Sequence, residues 1–166
     1  IRAAGTLESI VYFCPFRGRK DKGTGRAEGA YDFSVASDRS AYADYLRWIM
    51  AQGAHGIEVD YNDWPGSTDV PIYDVLNLAY ATVKEKYPDA YVLYWPPARG
   101  EESYRGMSTP TLRATLSRVP PGIWPLWTGM ATLIREPLTP QQVEQWTQGA
   151  GRRPLYWVNR VAPDER

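Results

Sequence analysis

The sequence is short of cysteine, of histidine and of net charge. One cysteine, Cys14, among 166 residues leaves no intrachain disulfide framework and no cysteine-rich zinc site. Beside a strand-like run, a single thiol reads as a small buried apolar residue. One histidine, His55, gives no H-x-x-x-H spacing for a metal and little footing for Ser/His/Asp catalysis. Basic and acidic residues number 19 each, so the formal charge is zero. Nucleic acids and anionic membranes are bound by surfaces with a basic excess, and neither partner is expected. No run of about 18 apolar residues occurs, so no helical membrane span is expected. The chain opens on Ile1 without a signal peptide, as expected of a processed or excised piece, and its compartment stays open.

What is present is a core. Apolar residues make up 43% of the chain and aromatics 13%, which fits one ordered domain over residues 1–166. Seven tryptophans stand out. The C–H-rich faces of sugars stack on such rings, and so do the rings of an ordinary core.

Strand-like and helix-like periods alternate. "ESIVYFCPF" (Glu8 to Phe16) reads as a buried strand ended by Pro15. "RGRKDKGTGRAEG" (Arg17 to Gly29) reads as a mobile loop: its glycines miss the dinucleotide fingerprint by one position and no G-K-[ST] follows. Ser37 or Asp38 can cap a helix with Tyr42, Tyr45, Leu46, Ile49 and Met50 on one face, closed by Gly53. The strand "GIEVDYNDWPG" (Gly56 to Gly66) follows. The next helix carries Ile72, Val75, Leu76, Ala79 and Val83 and stops at Tyr87-Pro88. "AYVLYWPP", "GIWPLW" and "RPLYWVN" are further strands, separated by helices that open at Thr109-Pro110 and Thr139-Pro140. No hairpin signal interrupts the order.

Such β-α alternation makes a parallel sheet with right-handed crossovers, either doubly wound or part of a (β/α)₈ barrel. A whole barrel takes roughly 250 residues and eight strands, so five strands and four helices make a partial one. Both architectures collect function at the carboxyl ends of the strands. Those ends read "NDWPG", "WPPARG", "WTGM" and "NRVAPD". Asp63, beside Asn62 and Trp64, has the surroundings of a carboxyl with a raised pKa, suited to general acid work; a capping aspartate fits the same residue. Glu58 and Asp60 share a strand face and are expected to bridge to arginine. His55, at the amino end of its strand, is expected to be structural.

The segment from Gly53, the motif "LWTG" (Leu126 to Gly129) and the tail "GRRPLYWVNRVAPD" together resemble the O-GlcNAc-hydrolase family of retaining β-N-acetylglucosaminidases, glycoside hydrolase family 84. The resemblance runs from about Ser9 to Asp164. It implies an α/β fold, a partial (β/α)₈ TIM-type barrel, and substrate-assisted hydrolysis in which the sugar's own acetamido oxygen attacks the anomeric carbon. The family's two consecutive catalytic aspartates fall on Asn62 and Asp63. Asp63 is thereby implied as the general acid/base, and Asn62 as the residue that orients the acetamido group. Trp157 matches the pocket-wall tryptophan, and Asn159 and Asp164 match residues that bind sugar hydroxyls. At the third strand end Trp95 opens "WPPAR", and Arg99 stands where the family has a tyrosine. An asparagine brings no charge to the developing oxazolinium, which typically costs ~10²–10³ in rate. "GIEVDY" also resembles the D-G-x-D-x-D-x-E strand of chitinase-like barrels, with Asn62 at the catalytic glutamate position.

The expected function is hydrolysis of β-N-acetylglucosaminides without cofactor or metal. The other reading is a silent domain that binds glycans or a partner on the same scaffold. The expected partners are an N-acetylglucosamine-containing glycan or glycoprotein, with a second copy or a further chain completing the barrel.

Overall fold

A computed structural model of the chain describes residues 9–13, 19–20, 27–28, 31–61, 72–96, 110–127 and 138–156. Its elements run β1 (Ile10–Phe13), β2 (Arg19–Lys20), β3 (Ala27–Glu28), α1 (Ala36–Ala51), β4 (Gly56–Asp60), α2 (Ile72–Lys84), β5 (Tyr91–Trp95), α3 (Pro110–Leu116), β6 (Ile123–Trp127), α4 (Pro140–Ala150) and β7 (Leu155–Tyr156).

Five strands form one parallel sheet in the order β1-β4-β5-β6-β7. That order decides between the two architectures. A doubly wound sheet reverses direction at a switch point and carries helices on both faces. Here each strand lies beside the preceding one in the sheet, so right-handed crossovers carry every helix to the same face. The core confirms it. One cluster joins Leu46 and Ile49 of α1, Leu76 and Val83 of α2, Leu112 and Leu116 of α3, and Trp146 of α4. From the strands it takes Ile57, Val59, Val92, Tyr94, Ile123 and Trp127, at alternate positions, with Tyr61 just past β4. Leu93 and Leu126 are buried on the opposite face and stand outside the cluster. Helices outside and a second face inside make a barrel wall.

Local chemistry explains where the elements end. Thr139 caps α4 in a capping box: its side chain accepts from the Gln142 backbone N–H while the Gln142 side chain accepts from the Thr139 N–H at 2.8 Å. Gly151 closes the same helix at φ 72°. Gly53, at φ 91°, follows α1, and its N–H donates to the Met50 carbonyl. The start of α1 differs from expectation. Val35 is the cap and makes no side-chain bond. Asp38 accepts instead from the Asp32 N–H at 2.9 Å, and Asp32 accepts from Ser34 N. Asp38 is thus engaged with the Asp32 turn that precedes the helix and does not cap it.

Gly56 is required by close strand approach, because a Cβ there would lie 2.6 Å from the Tyr91 carbonyl oxygen. Lys84 ties α2 to β5, donating to the Pro88 and Ala90 carbonyls at 2.6 and 2.7 Å. Arg152 does the larger share of such work. Its guanidinium donates to the carbonyls of Leu116 and Val119 at the end of α3, and to those of Pro120 and Ile123 leading into β6. Burial lowers its pKa from the ordinary arginine value.

The glycine-rich segment corrects one expectation. Its composition predicts a loop with no hairpin, yet β2 and β3 pair antiparallel, Arg19 opposite Glu28 and Lys20 opposite Ala27. Two-residue strands are too short to show alternation, and the six residues between them exceed a two-residue turn signal. No helix among the described residues is long and apolar enough to cross a membrane.

Candidate active site on the inner face

The inner face is read from the strand register. Tyr12 of β1, Glu58 of β4 and Leu93 of β5 lie in one row, and Trp124 of β6 continues it. One step nearer the carboxyl ends, Asp60 lies beside Trp95. The middle of this face is closed and its margins are open. Glu58 is 3% exposed and Asp60 2%, whereas Tyr12 is 48% and Trp124 41% exposed.

The two carboxyls have different surroundings. Asp60 accepts a hydrogen bond from the Tyr12 hydroxyl. The Glu58 Oε1 is buried and has no hydrogen-bond partner among the described residues. Burial, with the Asp60 carboxylate two residues away, pushes the Glu58 carboxyl up to about 7. For Glu58 this departs from the expected arginine bridge, since its Oε1 meets no donor among the described residues. Arg47 pairs with Asp44 and Glu85 on the helical side, and Arg152 is spent on carbonyls. The residues flanking Glu58 in the neighbouring strands are Tyr12 and Leu93, neither of them basic.

Of the residues singled out in the sequence, Trp95 is placed on the inner face, half-buried beside Asp60, at the carboxyl end where ligands of such barrels sit. Asn62, Asp63, Arg99, Trp157, Asn159 and Asp164 lie outside the described residues, as does Cys14. Asn62 and Asp63 follow Tyr61 directly in sequence, and the Tyr61 N–H is bonded to the Trp95 carbonyl at 3.0 Å. Tyr12 was missed: its role depends on which strand lies beside β4, and nothing in "IVYF" announces that.

At the outer side of β6, Trp127 stacks on Trp146 with centroids 5.4 Å apart, and Tyr156 tilts against it at 5.9 Å. Trp127 and Trp146 therefore pack core, and the Trp127 Nε1 has no acceptor among the described residues. His55 lies at the opposite end. Its Nδ1 accepts from the Ser9 N–H at 3.1 Å, and its backbone bonds Ser9 and Tyr91, tying the amino ends of three strands. A cavity of about 420 Å³ opens there, lined by Met50, His55, Tyr87 and Tyr91, and neither Glu58 nor Asp60 reaches it. Among the described residues no three His, Cys, Asp or Glu side chains gather to hold a metal.

Solved structures share this architecture. CpGH84D superposes with a TM-score of 0.65 at 19% identity, over 93% of this chain and 24% of its own. CpGH84B gives 0.64 at 11% identity, over 93% and 26%. A mutant of the Thermobaculum terrenum O-GlcNAc hydrolase gives 0.59 at 16% identity, over 79% and 30%. The fold is that of the family 84 barrels. The chain spans about a quarter of the length of these neighbours, which fits five strands of a longer barrel. No protein-family model matches the sequence, and no curated protein does.

Proposed function

We propose that the chain is a glycoside hydrolase-like barrel wall acting on β-N-acetylglucosaminides, by substrate-assisted retaining hydrolysis with Asp63 as general acid/base. The observation that carries this reading is positional. The order β1-β4-β5-β6-β7 turns one face inward, and on that face Asp60 and Trp95 meet at the carboxyl ends, next in sequence to Asn62 and Asp63. The likeness to an O-GlcNAc hydrolase supports the substrate class.

In this reading Asn62 accepts from the acetamido N–H through its side-chain oxygen. Asp63 protonates the departing oxygen and then takes a proton from water. Trp95 and Trp157 offer ring faces to the sugar, while Asn159, Asp164 and Arg99 hold its hydroxyls. The remaining strands come from another segment or a second copy. Asn62 itself favours the second reading, a silent glycan-binding domain, because it supplies no charge to the oxazolinium.

The test is hydrolysis of a chromogenic β-N-acetylglucosaminide. Asp63→Asn is expected to lower kcat by ~10²–10⁴-fold, the usual worth of general acid–base catalysis. Turnover that this substitution leaves unchanged removes Asp63 from the role. Calorimetric binding of N-acetylglucosamine without turnover, lost in Trp157→Ala, establishes the silent domain instead.

A further inference from the structure

At the amino ends of the strands, away from Asp60 and Trp95, two connections border the cavity of about 420 Å³. Residues 52–55 lead from α1 into β4, and residues 85–90 lead from α2 into β5. Backbone hydrogen bonds knit the two together. The His55 N–H donates to the Ser9 carbonyl at 2.8 Å, the Tyr91 N–H to the His55 carbonyl at 3.0 Å, and the Ala90 N–H to the Tyr87 carbonyl at 3.1 Å. The Lys84 ammonium holds the second connection through the Pro88 and Ala90 carbonyls. Walls fixed in this way need little ordering when a ligand arrives. The volume falls in the usual range of small-molecule pockets, roughly 300–1,000 Å³.

The lining divides by chemistry. Met50, almost wholly buried, and the tyrosines Tyr87 and Tyr91 supply an apolar part. Lys86 and Asp89 bring one charge of each sign, and among the described residues neither takes part in an ion pair. His55 adds a donor. Its Nδ1 accepts from the Ser9 N–H at 3.1 Å, so the neutral ring carries its proton on Nε2. A simple anion in this cavity faces repulsion from Asp89, and a simple cation faces repulsion from Lys86. A molecule that carries both charges finds a counter-charge for each.

We propose that this cavity binds a small zwitterion of the amino-acid type with an apolar or aromatic side chain. The ligand's carboxylate pairs with Lys86 and the His55 Nε2–H, and its ammonium pairs with Asp89. Its side chain lies against Met50, Tyr87 and Tyr91. Occupancy bridges the connections that lead into β4 and β5, and it stabilises the folded chain by mass action. The site stands whether or not the barrel hydrolyses a sugar.

Titration of the chain with L-phenylalanine, followed by backbone-amide NMR and by calorimetry, tests the proposal. Shifts are expected at His55, Tyr87, Asp89 and Tyr91, with Trp95 at the other end unmoved. Lys86 and Asp89 are exposed, so Lys86→Gln and Asp89→Asn leave the core intact. Each substitution is expected to weaken binding about two- to fivefold, the worth of an ion pair open to solvent. Hydrocinnamate, which lacks the ammonium, and phenethylamine, which lacks the carboxylate, are expected to bind more weakly by a similar factor. No shift up to the solubility limit of phenylalanine, shifts confined to the Trp95 end, or affinity that both substitutions leave unchanged overturns the proposal. Equal affinity for hydrocinnamate overturns it in favour of a simple anion site, and equal affinity for phenethylamine in favour of a cation site.

Discussion

Arg152 concentrates more structure in one side chain than any other described residue of known partners. Its planar fork meets four carbonyls at 2.8–3.2 Å, between the end of α3 and the start of β6. Lysine has the charge and lacks the fork, so it can satisfy only part of this set. Arg152→Lys is expected to lower unfolding stability by about 1.5–3 kcal/mol in urea, the range for hydrogen bonds to charged groups; a loss within error would show that water replaces the contacts. Gly56 gives a second expectation. Alanine there drives a Cβ into the backbone of β5, and ~1–3 kcal/mol is the usual cost of such overpacking. The sequence foretold that Glu58 and Asp60 share a face, because alternation along a strand is fixed. It did not foretell Tyr12 as a partner of Asp60, or a Glu58 Oε1 without a hydrogen-bond partner among the described residues. Both follow from strand register, and register joins segments almost fifty residues apart.

At the scale of elements, the best-announced features were those with local chemistry. Thr139-Pro140 marks the start of α4 in the sequence, and the capping box then forms on those residues. Thr139→Ala is expected to cost about 1 kcal/mol, read as a drop in the thermal midpoint; Thr139→Ser restores most of it. The helical face of α2 was equally legible, since Val75, Leu76, Ala79 and Val83 repeat at three and four and all are buried. Where chemistry was shared between distant turns, legibility failed. The cap of α1 falls on Val35 while Asp38 serves the Asp32 turn, and β2 pairs with β3 across a stretch whose glycines read as loop. Short antiparallel pairs leave no period to detect.

At the scale of the whole molecule, five strands were readable but their order was not. Sequential order is what turns an α/β pattern into a barrel wall, and it left an inner face with Ile10, Tyr12, Tyr91, Trp124 and Leu155 open at its margins. Among the described residues β1 and β7 each pair on one side only, so the sheet has two edges. Edges of this kind recruit further strands, and the isolated chain is expected to self-associate with rising concentration. A mass by light scattering that stays monomeric throughout would speak against that. In the proposed function a sugar is received on the inner face at the carboxyl ends of the strands. The most direct measurement of this is an NMR titration of the chain with N-acetylglucosamine, following backbone amides residue by residue. Shifts are expected at Asp60, Tyr61 and Trp95, with the amides around His55 unmoved. Shifts confined to the His55 and Tyr87 end, or none at saturating sugar, would contradict that placement.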